Sequence, residues 1–404
     1  MQGQTPTSLN ILILLNRIPY PLNDGGAIGA YNFVKGYAQA GCNVTILAMN
    51  TSKHFVEGAK VEEVLGQFGT VKTMFIDNKI KPVGALLNLL NGSSYVIERF
   101  VSKAYNDALI EILSKQQFDV VHIDGLPPAA YIDTVRAHSK AKVSMRAHNV
   151  EHVIWQRIAE KEGNPLKKWY VGLQAQRLKV FEIKAINKCD VVMAISNEDE
   201  QTIKHECPNA TTVVVPAGMD INDEIENENY NAADLFFIGS FDWMPNLQGV
   251  DWFIANVWNG LVERFPGIKL SIAGKKMPNS IYALKSANLL PMGQVPDAKQ
   301  FMLQHGVMVV PIISGSGIRI KILEGMALGK TIIATPIAAE GLGLTDGENI
   351  LIADSEQMFI DKLDKCLQNA EYCRAIGANA HRFALANYRN KNIFSRLVQY
   401  YTSL

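Results

Sequence analysis

The stretch Pro311-Ile312-Ile313-Ser314-Gly315-Ser316-Gly317-Ile318-Arg319-Ile320-Lys321-Ile322-Leu323-Glu324-Gly325-Met326-Ala327-Leu328-Gly329 reads as the end of a buried strand, a loop of small residues, and a helix closed by a glycine. Small side chains in the loop let the backbone approach a ligand closely. The first N–H groups of the following helix lack intrahelical partners, and the helix dipole favours an anion beside them. Arg319 and Lys321 work against that dipole, each at about 0.3–1 kcal/mol when no anion is bound. A diphosphate removes the conflict. Glu324 follows on the same helix, where its carboxylate can accept hydrogen bonds from the two vicinal hydroxyls of a ribose. An amphipathic helix with a solvated charged face is the plainer reading of the same residues.

Outward from this stretch, the pattern repeats. Apolar runs at 235–238, 269–273, 307–310, 331–334 and 350–352 alternate with helical patterns at 246–264, 297–304, 318–328 and 356–368. Upstream, apolar runs at 9–15, 43–48, 71–76, 119–123, 142–145, 190–195 and 212–215 alternate with helical patterns that include 27–40, 103–116 and 167–187. Such alternation implies right-handed crossovers and parallel sheets covered on both faces. It pauses at 216–232, which carries Pro216, Gly218 and a run of Asn, Asp and Glu. That pause marks a domain boundary. The expected fold is α/β: two Rossmann-like domains, with parallel sheets facing a central cleft where the strand C-terminal ends bind ligands.

Composition narrows the function. The chain has 404 residues, 48% hydrophobic and 19% charged, enough to build two cores. Lys+Arg and Asp+Glu are both 39, so no basic excess supports general nucleic-acid binding. Cys42, Cys189, Cys207, Cys366 and Cys373 are scattered and odd in number, with no CxxC pair, which points to reduced cysteines and a cytoplasmic setting. The first eight residues lack the features of a signal peptide, and the apolar runs are of strand length, so no spanning helix is expected. No Asp-x-Asp run suggests a divalent ion on a diphosphate, and no metal site is expected.

The segment 311–329, with Phe237-Ile238-Gly239-Ser240-Phe241-Asp242-Trp243-Met244-Pro245-Asn246, Ile272-Ala273-Gly274, Met292-Gly293-Gln294-Val295, Glu340-Gly341-Leu342 and Asp346-Gly347-Glu348-Asn349, resembles the C-terminal signature of GT-B fold glycosyltransferases, specifically the large retaining family 4 (glycosyl transferases group 1). The resemblance implies an acceptor domain at 1–215, a nucleotide-sugar domain at 216–385, and a helix at 386–404 that packs back on the first domain. It implies a nucleoside diphosphate sugar of UDP or GDP type as donor, with no cofactor. Glu324 would hold the ribose, and Ser316, Gly317, Ile318, Arg319 and Lys321 the diphosphate. Gly293 and Val295 would present backbone to the base, with Gly239, Ser240, Asn246 and Gly274 completing the donor pocket. Two departures stand out. The family often carries two glutamates, and the first falls at Ser316. It also often places an Arg and a Lys after the first strand of this domain, where this chain has 239–243 without either; Arg319 and Lys321 supply the charge instead.

In the first half, Asn23-Asp24-Gly25-Gly26-Ala27-Ile28-Gly29 opens a helix after the first strand. Its glycine spacing departs from the dinucleotide fingerprint, and the second strand ends without an acidic residue for a ribose. A tight strand-to-helix turn is the plainer reading, whereas the resemblance puts Gly25 and Gly26 beside the donor phosphates. Arg146-Ala147-His148-Asn149-Val150-Glu151-His152 contains an H-x-x-E-H string, also found in zinc peptidases. Here His148 follows a strand, so zinc would need a different geometry; a structural histidine is a further reading. By resemblance, His148 orients the donor sugar and Glu151 supports its loop; His122 and Asp124, at the end of the strand 119–123, either face the acceptor or pack the loop.

The implied reaction is transfer of a hexosyl group to an acceptor hydroxyl with retention of configuration, in cell-surface polysaccharide or glycoconjugate synthesis. His148, Arg319, Lys321 and Glu324 form the catalytic set. A nucleotide-sugar epimerase of the same fold and a non-catalytic nucleotide-sugar-binding homologue are the alternatives. The acceptor is a saccharide, a lipid-linked compound or a small molecule. Residues 82–90 read as an exposed apolar helix, which would bring peripheral contact with the inner face of a membrane, or as an ordinary buried helix. No polybasic run accompanies them.

Overall fold

The computed structural model describes residues 8–22, 25–216, 218–315 and 318–404. They form two compact units, Met1–Met219 with Asn390–Leu404, and Asp220–Arg389.

The first unit is built on a seven-stranded sheet ordered β3-β2-β1-β4-β5-β6-β7. The strands are β1 Asn10–Leu15, β2 Asn43–Thr51, β3 Gly69–Ile76, β4 Val120–Asp124, β5 Lys142–Ala147, β6 Val191–Ala194 and β7 Thr212–Val214. Every pairing is parallel. Helices cover both faces, which is why Ile11 to Leu15 and Val120 to Asp124 are buried without alternation. Strand order reverses between β1 and β4, where Leu15 pairs with Asp124, and Asp124 in turn with Arg146 of β5. Ligands of open α/β sheets bind at such a reversal, outside the strand C-terminal ends.

The helix Asn390–Ser403 packs on Gly25–Gln39 of the same unit. Phe394 meets Phe33 and Tyr37 edge to face, with ring centroids 5.0 Å apart in each case. A Cβ on Gly36 would lie 2.1 Å from Phe394 Cε2, so the two helices approach only because residue 36 is glycine.

The second unit carries a six-stranded sheet ordered β10-β9-β8-β11-β12-β13. Its strands are β8 Asp234–Ile238, β9 Lys269–Ala273, β10 Leu289–Gly293, β11 Val307–Val310, β12 Thr331–Ala334 and β13 Leu351–Ile352, again all parallel. Its order reverses between β8 and β11.

Two elements differ from the periodicity. The single helix expected at 246–264 is realised as Met244–Phe253, a π-helical turn Ile254–Trp258, and Asn259–Arg264. The wider turn carries Val257 and Trp258 into the core. Strand β10 was absent from the apolar runs because Pro291 interrupts it; the strand lies on the sheet edge, where a missing N–H is tolerated, and its register shifts between Pro291 and Gly293.

Candidate functional site

In the second unit, the loop after β8 enters the helix Met244–Phe253, and residues 311–319 lead from β11 into the helix Ile320–Ala327. Both helix starts stand at the strand-order reversal. Asn246 is buried in the first of them; its amide nitrogen donates to the Ser240 carbonyl at 2.7 Å, and its amide oxygen accepts from Lys321 Nζ at 2.6 Å. The Lys321 ammonium also sits 4.6 Å from the centre of the Phe237 ring. Burial, reinforced by the neighbouring Arg319 charge, pushes the lysine down to about 7, against the pull of Glu324. Among the described residues no carboxylate reaches ion-pair distance of it. A side chain at Gly239 would place Cβ 2.4 Å from this ammonium, so the glycine leaves the space the lysine occupies.

Arg319 caps the helix from a buried position, its guanidinium 4.7 Å from the Trp243 ring centre. Burial lowers its pKa, partly offset by Glu340. The indole face attracts the cation there. Glu324 lies four residues past the first helical residue, at the solvent edge of the site. Surrounding protein raises its carboxyl pKa, and Lys321 pulls it the other way. The helix therefore presents two cations and a carboxylate along one short span.

Other expected donor residues end the neighbouring strands. Gly274 follows β9; its N–H donates to the Gly293 carbonyl at 2.7 Å, and a Cβ there would lie 1.8 Å from the Gly239 oxygen. Gly293 ends β10 with φ +67, and a Cβ would meet the Tyr282 hydroxyl at 2.3 Å. Val295 is half-buried in the loop beyond it, and Ile318 is half-buried ahead of Arg319. Ser316 and Gly317 lie outside the described residues.

In the first unit, Asp124 is completely buried at the end of β4. Its Oδ1 receives His148 Nε2 at 2.9 Å and Arg146 Nη1 at 3.3 Å, and stands 3.9 Å from His122 Nε2. Burial alone would raise the Asp124 pKa; His148, His122 and Arg146 together hold it well below the usual carboxylate range. Burial also lowers His122. The ionised carboxylate holds the His148 ring through Nε2, and that ring is 19% exposed. Among the described residues, Asp124 Oδ2, His122 Nε2 and Arg146 Nε are buried without a hydrogen-bond partner.

Helix Gly25–Gln39 starts against this cluster. Arg146 lies 4.1 Å from the Phe33 ring centre, and a Cβ on Gly29 would come within 2.9 Å of its Nη2. Gly25 and Gly26 form the first turn of that helix; Asn23 and Asp24 lie outside the described residues. His148 and His152 engage different carboxylates: His152 Nδ1 pairs with Glu182 at 2.7 Å. Glu182 also accepts the backbone N–H groups of Glu151 and His152, anchoring the start of the helix Glu151–Lys161. The H-x-x-E-H string therefore does not converge on a zinc site, and the Glu151 carboxyl, raised by burial and by Glu182, stands beside Asn149.

Sequence reasoning passed over two residues that this geometry brings forward. Arg146 carried a signal, being a lone charge in the otherwise uncharged run Val143-Ser144-Met145-Arg146-Ala147. Trp243 carries no such signal, and only the fold brings the Arg319 guanidinium over its ring.

Comparison with known proteins places the chain. The family described as Glycosyltransferase Family 4 matches residues 23–223, and that described as Glycosyl transferases group 1 matches residues 232–369. An uncharacterized 44.6 kDa protein in the cps region of Klebsiella pneumoniae is 24% identical over 407 residues, covering 96% of this chain and 98% of its own length. Among solved structures, Anabaena Alr3699/HepE in complex with UDP superposes with a TM-score of 0.66 at 13% identity, over 98% of this chain and 100% of that one. Sucrose-phosphate synthase from Thermosynechococcus elongatus gives 0.64 at 15% identity, over 98% of each chain. At these identities the solved structures establish the fold, which is GT-B. With the two family matches running from residue 23 to residue 369 across both units, the chain belongs to the glycosyltransferases of group 1 and family 4.

Proposed function

We propose that the protein transfers a hexosyl group from a nucleoside diphosphate sugar to an acceptor hydroxyl with retention of configuration, in the synthesis of a cell-surface polysaccharide or glycoconjugate. The observation that carries the donor reading is the Lys321–Asn246 pair at the start of two helices, beside a stacked Arg319. One buried and one half-buried cation at a helix N-terminus are an unfavourable arrangement until an anion arrives. The diphosphate is that anion. Glu324 holds the ribose hydroxyls, while Gly293 and Val295 offer backbone to the base. A uridine nucleotide is favoured by the fold's likeness to HepE, solved with UDP and with UDP-glucose.

As the glycosidic bond breaks, negative charge grows on the β-phosphate. Cations already fixed in place stabilise that charge without reorganising. The acceptor hydroxyl attacks on the face from which the leaving group departs and gives its proton to a phosphate oxygen, so configuration is retained. In the first unit, Asp124 fixes the His148 ring, and that ring orients a sugar hydroxyl. The relative from a cps region supports the polysaccharide role.

A thermal-shift screen over UDP, GDP and ADP sugars tests the donor. Stabilisation by one UDP or GDP sugar is expected, followed by NMR of the product showing the donor's anomeric configuration. An epimerised nucleotide sugar formed without acceptor would establish an isomerase instead. Tight binding without turnover across a broad acceptor panel would establish a non-catalytic homologue.

A further inference from the structure

We propose that the helix Pro82–Asn91 lies in the interface of an anionic membrane, with a lipid phosphate seated in the basic concavity at its carboxyl end. The spacing of Val83, Leu86, Leu87 and Leu90 puts them along one helical face. They are 70%, 66%, 61% and 87% exposed, a contiguous apolar stripe of a kind that soluble surfaces rarely show without an occupant.

The stripe is held out rigidly. On the opposite face Asn88 is buried; it donates to Glu98, and its side-chain oxygen accepts from Gln174 at 3.0 Å and Arg177 at 3.1 Å. Arg177 also caps the end of the helix, donating to the carbonyls of Asn88 at 2.8 Å and Leu89 at 3.0 Å. A helix fixed from behind keeps its apolar face turned outward.

Length and charge identify the occupant. Ten residues make a helix about 15 Å long, half the hydrocarbon core of a bilayer, so this element lies on a membrane and does not cross one. Among the described residues, no helix is long and apolar enough to span. No charged side chain occurs from Pro82 to Asn91, yet cations stand at both ends. Lys79 and Lys81 are exposed at the amino end, where Asp77 pairs with Lys81 at 2.9 Å. At the carboxyl end, a concavity of about 440 Å³ is lined by Arg177, Lys184, Ser93 and Ser94. Arg177 and Lys184, with the Ser93 hydroxyl that now donates to Glu98 at 3.1 Å, suit a phosphodiester headgroup. The sequence around the helix lacks a basic run because the fold delivers these cations from the long helix Pro165–Lys188.

Vesicle binding is read without donor or acceptor, so its outcome is separate from that of the transfer reaction. The full chain is co-sedimented with vesicles of phosphatidylcholine alone and of phosphatidylcholine mixed with phosphatidylglycerol. Binding to the mixed vesicles stronger by about tenfold or more is expected, since several cations near an anionic surface each strengthen the attraction to it. Leu86→Asp with Leu90→Asp should abolish binding while thermal unfolding stays at the wild-type temperature. Lys81→Glu with Lys184→Glu should remove the preference for anionic lipid. Leu87→Trp, which keeps the stripe apolar, should show a blue shift of its added emission on the mixed vesicles. Absence of that shift, or full vesicle binding by the aspartate double variant, would overturn the proposal. So would self-association of the wild type that the aspartate pair abolishes without any vesicle binding, or saturation by inorganic phosphate with no attraction to vesicles.

Discussion

Lys321 Nζ donates to Asn246 Oδ1 across 2.6 Å, joining the starts of two helices that follow β8 and β11. A lysine partnered by a neutral amide keeps its charge available. In the absence of ligand that charge is disfavoured by burial and by Arg319.

Replacing Lys321 with alanine should therefore weaken nucleoside diphosphate binding by roughly 10- to 100-fold, the range for losing a charge-assisted hydrogen bond. The same change relieves repulsion with Arg319 and should leave the unfolding temperature unchanged or raised. Isothermal titration with UDP and GDP, beside a thermal melt, reads both quantities. Affinity retained at the wild-type level would remove Lys321 from the donor site.

The pKa of Lys321 gives a pH signature. At about 7 it is depressed from its ordinary value, and a bound diphosphate must raise it. Below pH 7 the lysine is already charged, so affinity is flat. Above pH 7 the free protein must take up a proton to bind, and affinity should fall by up to about tenfold per pH unit. Titration at pH 8 in buffers of different ionisation enthalpy should show net proton uptake, and Lys321→Met should abolish it.

Asp124→Asn should be the most damaging single change in the first unit. It leaves Arg146 buried beside two histidines without a counter-charge, at about 3–5 kcal/mol by analogy with other broken buried pairs. His148→Ala, at the partly exposed end of the cluster, should unfold at nearly the wild-type urea concentration while losing transfer activity. Because the Asp124 pKa is depressed in the fold, its stabilisation is present above the unfolded value of about 3.9 and is lost as pH falls through the folded value. Urea midpoints measured down to pH 3 should fall more steeply in the wild type than in Asp124→Asn, whose remaining loss comes from other depressed carboxyls such as Glu111.

Gly36→Ala should disturb the C-terminal helix, since the added methyl would overlap Phe394. Faster proteolytic removal of residues 390–404 is expected. A protease-resistant variant would mean the two helices can part without penalty.

Much of the fold was legible because its strands are buried on both faces and read as unbroken apolar runs, as at Ile11 to Leu15. What escaped were places where tertiary position overrides local pattern. Pro291 hid an edge strand, and a π turn inside an otherwise regular helical pattern left no trace in the periodicity. In the candidate site, Arg319, Lys321 and Glu324 were visible as charges at a helix start, and Asn246 as part of a loop motif. The contact between Lys321 and Asn246 was not, since strand order alone brings residues 75 positions apart into contact. The Asp124–Arg146 pairing likewise depends on the register of β4 with β5.

The most direct test of the donor site is a crystal structure of the protein with UDP or a UDP sugar. The account predicts the diphosphate against Arg319 and Lys321 at the start of the helix Ile320–Ala327, with the ribose hydroxyls on Glu324. A diphosphate bound elsewhere, or a ribose remote from Glu324, would contradict it.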